Sequence, residues 1–78
     1  MSNVIRRRSE DEEMFELYDE LVRLAEARLR AQKQYLGLLT EEAARPYRKA
    51  SSEWYEFSSK HFQEVAIWAR KRGIKMPS

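Results

Sequence analysis

Apolar and aromatic residues recur along this chain at helical intervals, in two long stretches separated by one short break. In the second stretch, Tyr47, Trp54, His61 and Trp68 stand seven residues apart. Seven residues is almost two turns of α-helix, with a drift of only about 20° per step. The four rings therefore form a column on one helix face, and Phe57 widens it into an aromatic stripe. In the first stretch Met14, Leu17, Leu21, Leu24, Ala31, Tyr35 and Leu38 follow one seam. Phe15, Tyr18, Val22, Ala25, Leu29, Leu36 and Leu39 follow an adjacent one. Together they cover an arc of about 200°, against the ~100° of an ordinary surface helix. One neighbouring helix cannot cover that arc.

Local signals place the ends of the two helices. Ser9 followed by Glu12 is a capping box, and Glu10, Asp11 and Glu13 put negative charge on the same first turn. Carboxylates there satisfy free amide groups and favour the positive end of the helix dipole. The first helix is predicted to start near Glu10. Gly37 and Thr40 mark the turn, with Thr40 as N-cap ahead of Glu41 and Glu42. Pro46 then requires either an early helix start with a mild kink or a late start at the proline itself; the early start is favoured. The second helix is predicted to run to Arg72. Gly73 serves as its left-handed cap, Ile74 folds back onto Ala69, and Pro77 blocks continuation.

These patterns predict an all-α fold, an antiparallel helical hairpin at 9–74. Residues 1–8 form a basic N-terminal tail with Arg6, Arg7 and Arg8 contiguous, and 75–78 a C-terminal tail. A chain of 78 residues is one domain near the lower size limit for independent folding. It has no cysteine, hence no disulfide staple or thiolate metal site. The wide arc and small size together predict a dimer that completes a four-helix bundle.

The N-terminal segment has charges where a signal peptide needs an apolar core. The longest apolar stretch, around Tyr35 to Leu39, is far short of the ~20 residues that span a bilayer. A soluble, cytoplasmic protein without a membrane partner is the expectation. The net charge of +2 is too small to argue by itself for a polyanion partner.

The segment Leu39-Thr40-Glu41-Glu42, with Arg45-Pro46-Tyr47, Ala50 and Tyr55, resembles the second helix of a high-mobility-group box over about 17 residues. That resemblance implies DNA binding. The family's N-terminal strand and minor-groove wedge residues have no counterpart here, so no site residue is carried over.

Several residues invite a chemical reading. The aromatic column has the composition of a base-stacking platform, but aromatics at helical spacing are also what a hairpin buries. His61, the sole histidine, and Glu64 are three apart; bundle di-iron sites use Glu-x-x-His on two helices, and here the order is reversed. The favoured reading is a half-buried, hydrogen-bonded histidine. Arg28 and Gln32 interrupt the apolar arc of the first helix. They either fix register in a bundle or lie at its edge with the Arg28 charge reaching outward. No nucleophile–base pair or phosphate-binding glycine loop is present, so no catalytic residue, cofactor or metal ligand is assigned.

Charge is segregated. Ser9 to Glu20 holds seven acids and no base, and Lys60 to Lys75 holds five bases and one acid. In an antiparallel hairpin those ends lie side by side and neutralise each other. The better polyanion candidate lies near the turn, at Arg30, Lys33, Arg45, Arg48 and Lys49, diluted by Glu41, Glu42 and Glu53.

The expected function is that of a non-enzymatic interaction protein, an adaptor or regulator acting as a homo-oligomer on an unidentified protein partner. Its interface is expected at Leu21, Leu24, Arg28, Tyr47, Trp54, Phe57, His61 and Trp68. The alternative is a nucleic-acid-binding regulator using the turn-end basic residues; a weaker one is a metal-binding bundle.

Overall fold

The computed structural model describes residues 9–77. Two helices, α1 (Glu10–Leu38) and α2 (Glu41–Lys71), pack against each other as an antiparallel hairpin. The expected basic segment at 1–8 lies outside the described residues. Among the described residues no helix is long and apolar enough to cross a membrane.

Caps set the boundaries. Ser9 Oγ accepts from the Glu12 amide at 3.1 Å, and the Glu12 carboxylate accepts from the Ser9 amide at 3.3 Å, which closes the capping box. Thr40 Oγ1 accepts from the Ala43 amide at 3.1 Å and starts α2 before Pro46. The proline therefore lies inside the helix, as the early start requires. At the far end the Gly73 amide bonds to Arg70 O at 3.3 Å and the Ile74 amide to Ala69 O at 2.9 Å. Gly73 sits at φ 68°. That is a Schellman motif, and its hydrophobic contact is Ile74 against the core. Arg72 is the cap, one residue beyond the last turn of α2.

The turn between the helices differs from the expectation. Gly37 remains inside α1, and Leu39 takes the left-handed position at φ 53°, ψ 37°, its amide bonded to Tyr35 O at 2.7 Å. Glycine is the usual choice there because a Cβ crowds the following carbonyl. Here a leucine holds it and is 71% exposed.

The core is a single cluster of Leu21, Leu24 and Ala25 from α1 with Trp54, Val65, Trp68 and Ala69 from α2. Met14, Leu17, Phe57 and Phe62 pack around it, together with Ile74 and Met76 from the segment that follows α2. Tyr18 Oη donates to Lys75 O at 2.8 Å and holds that segment across α1. Nearer the turn Ala43, Ala44 and Ala50 are buried, and Tyr35 stacks on Tyr47 with ring centroids 5.8 Å apart. At the open end Asp11 accepts from Trp68 Nε1 at 3.0 Å and also pairs with Arg72. The acidic start of α1 thus meets the basic end of α2, as their charges suggest.

The molecule measures 59 × 29 × 16 Å, with a Cα radius of gyration of 16.5 Å. A compact chain of this length has a radius of about 11–12 Å. It is a plate one helix layer thick, with two broad faces.

Candidate interaction surface

The contact between the helices follows a seam of seven-residue steps: Met14, Leu21, Arg28 and Tyr35 on α1, and Tyr47, Trp54, His61 and Trp68 on α2. Arg28 stands over the Trp54 ring, and one heptad nearer the turn Tyr35 stacks on Tyr47. Residues just before the seam and residues just after it are rotated about 100° to opposite sides. In an antiparallel pair, the "after" positions of both helices fall on one broad face of the plate, and the "before" positions on the other.

The two faces differ in chemistry. Before the seam come Glu13, Glu20, Ala27 and Gln34 on α1 and Pro46, Glu53, Lys60 and Ile67 on α2. Glu20, Glu53 and Lys60 line a shallow groove of about 400 Å³ with Arg23, Glu56 and His61, and Ile67 is a single exposed apolar residue on that face at 54%. Arg23 holds Glu20 through two hydrogen bonds, Nε to Oε1 at 2.9 Å and Nη2 to Oε2 at 2.5 Å. The guanidinium lowers the Glu20 carboxyl below its ordinary value of about 4.5, and the carboxylate raises Arg23. After the seam come Phe15, Val22, Leu29 and Leu36 on α1, and Arg48, Tyr55, Phe62 and Ala69 on α2. Seven of those eight are apolar or aromatic; Ala69 is buried in the core, and Val22 and Phe62 are partly buried. Phe15, Leu29, Leu36 and Tyr55 are 46%, 45%, 60% and 61% exposed. Scattered exposed hydrophobes are ordinary; a row of them on one face marks an interaction surface.

The residues read from sequence as the interface divide into two groups. Leu21, Leu24, Trp54 and Trp68 are at most 6% exposed within one chain, so the intrachain core uses their surface. Arg28, Tyr47, Phe57 and His61 are partly buried. His61 Nδ1 lies 3.0 Å from Glu64 Oε1, with its ring centroid 4.7 Å from that of Phe57. Among the described residues no group of three or more candidate ligands is placed to hold a metal ion.

Arg28 does not reach outward. Its guanidinium carbon lies 5.4 Å from the Trp54 centroid and 5.9 Å from that of Tyr55. Its Nε is shielded from solvent and has no hydrogen-bond partner.

The five turn-end basic residues are all exposed. Arg30 and Lys33 border a shallow depression lined by α1 alone, with Glu26 and Leu29. Arg48 is held by Glu41, Nη1 to Oε2 at 2.8 Å, and the pair lowers the Glu41 carboxyl and raises Arg48. The positive charge is therefore interrupted on both helices.

No family model matches the chain, and no curated protein or solved structure gives a significant match.

Sequence reading identified Phe15, Val22, Leu29 and Leu36 as part of the wide arc of α1, but not the matching row of Tyr55 and Phe62 on α2. The signal was present one position after each member of the aromatic column.

Proposed function

We propose that this protein is a small helical interaction module, an adaptor or regulator that performs no chemistry and works as a homo-oligomer. The supporting observation is the exposed apolar row on one broad face, from Phe15 to Leu36 on α1 and at Tyr55 on α2. Among the described residues no second layer covers that row, and a domain of this size buries only about 60% of its unfolded surface. A polynucleotide partner fits less well, because Glu41 and Glu26 break up the positive surface at the turn end. Such partners select faces of one sign.

Light scattering tests the reading. A species of at least twice the chain mass is expected at ~100 µM, well above micromolar subunit affinities. A stable monomer at that concentration overturns it.

A further inference from the structure

We infer that the apolar broad face is occupied by a second copy of this chain, packed face to face. The inference rests on the homo-oligomer reading and adds to it the face used.

Area comes first. Two helices of 29 and 31 residues, each about 45 Å long and about 10–12 Å across, present a broad face of roughly 1,000 Å² in projection. A stable, specific interface needs about 800 Å² from each partner, so the face suffices when most of it is used.

The shape of the row then selects the occupant. From Phe15 to Leu36 it runs along 21 residues of helix, about 32 Å at 1.5 Å per residue. Its complement must be a rigid apolar stripe of similar length. The same face of a second copy is one, and two stacked plates make a four-helix bundle of ordinary thickness. Charge agrees with this choice. Glu26 and Lys33 stand together beside Leu29, so the edge of the face carries both signs and suits neither a strongly acidic nor a strongly basic partner.

The chain has no cysteine, so single-cysteine variants report on one site each. Leu29→Cys and Lys60→Cys lie on opposite faces, and both positions are exposed in a single hairpin. On raising the protein from about 1 µM to ~100 µM, across the usual range of subunit affinities, thiol labelling is expected to slow at least ~10-fold at Leu29→Cys and to remain unchanged at Lys60→Cys. In sedimentation, Leu29→Glu should run as a helical monomer and Glu53→Lys as the parent species.

Protection at Lys60→Cys instead of Leu29→Cys overturns the choice of face and leaves the homo-oligomer reading standing. Equal labelling at both sites in a protein that remains oligomeric also overturns the choice of face. A parent protein that is monomeric at ~100 µM overturns the inference together with the reading beneath it.

Discussion

The guanidinium of Arg28 stands over the indole of Trp54, with its central carbon 5.4 Å from the ring centroid. A cation this close to a tryptophan face is stabilised by the ring quadrupole, by about 0.5–2 kcal/mol depending on desolvation. The contact locks the register of the hairpin at mid-length. A shift of one residue along either helix would bring Arg28 against a different side chain and would break the Tyr35–Tyr47 stack one heptad away.

Trp54→Ala is expected to be the most damaging single truncation. Trp54 is 6% exposed and sits in the one core cluster, against Phe62 and under Arg28. Removing a buried indole costs about 3–5 kcal/mol, a large part of the stability of a domain this small. Urea unfolding at fixed protein concentration measures it. A midpoint unchanged from the parent would mean that Trp54 is a ligand platform and not a core residue.

The turn offers two stabilising substitutions two residues apart. Gly37 lies in the last turn of α1, and nothing stands within 4 Å of where its Cβ would be. Gly37→Ala should therefore stabilise by about 0.5–1 kcal/mol. Leu39 occupies the left-handed position, where an L side chain costs about 1–2 kcal/mol, less the extra unfolded-state entropy that glycine brings. Leu39→Gly should raise the thermal midpoint as well. If both substitutions lower it, Leu39 makes a contact that outweighs its backbone cost, and the exposed turn-end leucines belong to an interface.

Helix capping is expected to be unequal at the two N-termini. Ser9→Ala removes the hydroxyl half of a capping box and leaves its backbone amide on the Glu12 carboxylate, whereas Thr40→Ala removes the one side-chain bond to the Ala43 amide. Each should cost about 1 kcal/mol. Amide hydrogen exchange should show the loss at Ser9 confined to the first turn of α1. The loss at Thr40 should extend toward Pro46, because that helix already lacks one backbone donor there.

Asp11 joins the two chain-end regions, since one carboxylate oxygen serves both Trp68 Nε1 and Arg72. Asp11→Ala should cost about 1–2 kcal/mol as a charge-assisted bond to a shielded indole. Asp11→Asn, which can still accept from the indole, should recover part of it. Trp68 emission, shifted to the red in the alanine variant and less in the asparagine variant, is the readout. Identical spectra in all three proteins would mean that the bond is not formed in solution.

Acid should weaken the hairpin partly through Glu20 and Glu41. Arg23 and Arg48 hold these carboxyls below the ordinary value of about 4.5 in the folded chain. Their contribution is therefore complete above that value and is lost as pH falls through the depressed one. Both pairs are at the surface, so each effect is small. The double variant Glu20→Gln with Glu41→Gln should show a shallower fall in melting temperature between about pH 5 and pH 3. An unchanged slope would place the acid sensitivity elsewhere.

Helix positions, the caps at Ser9, Thr40 and Gly73, and the inclusion of Pro46 within α2 were all legible in the sequence. Each depends on residues within four positions of one another, and local hydrogen-bond chemistry fixes them. The hairpin itself followed from two long apolar stripes joined by a two-residue break. The turn was legible only approximately, because the side-chain preference for glycine at the left-handed position was overridden at Leu39.

Tertiary packing alone decided how the apolar arc was divided. Sequence marks Leu21, Leu29 and Trp54 as equally apolar candidates and passes over Tyr55, since periodicity gives each residue an angle about its own helix and nothing about the neighbour. Antiparallel packing then buries Leu21 and Trp54 and leaves Leu29 and Tyr55, one step around each helix, on a common face. It also turns Arg28 inward onto two rings, away from solvent. These outcomes depend on the rotation of one helix relative to the other, a quantity set by side chains far apart in the chain, which no local pattern contains.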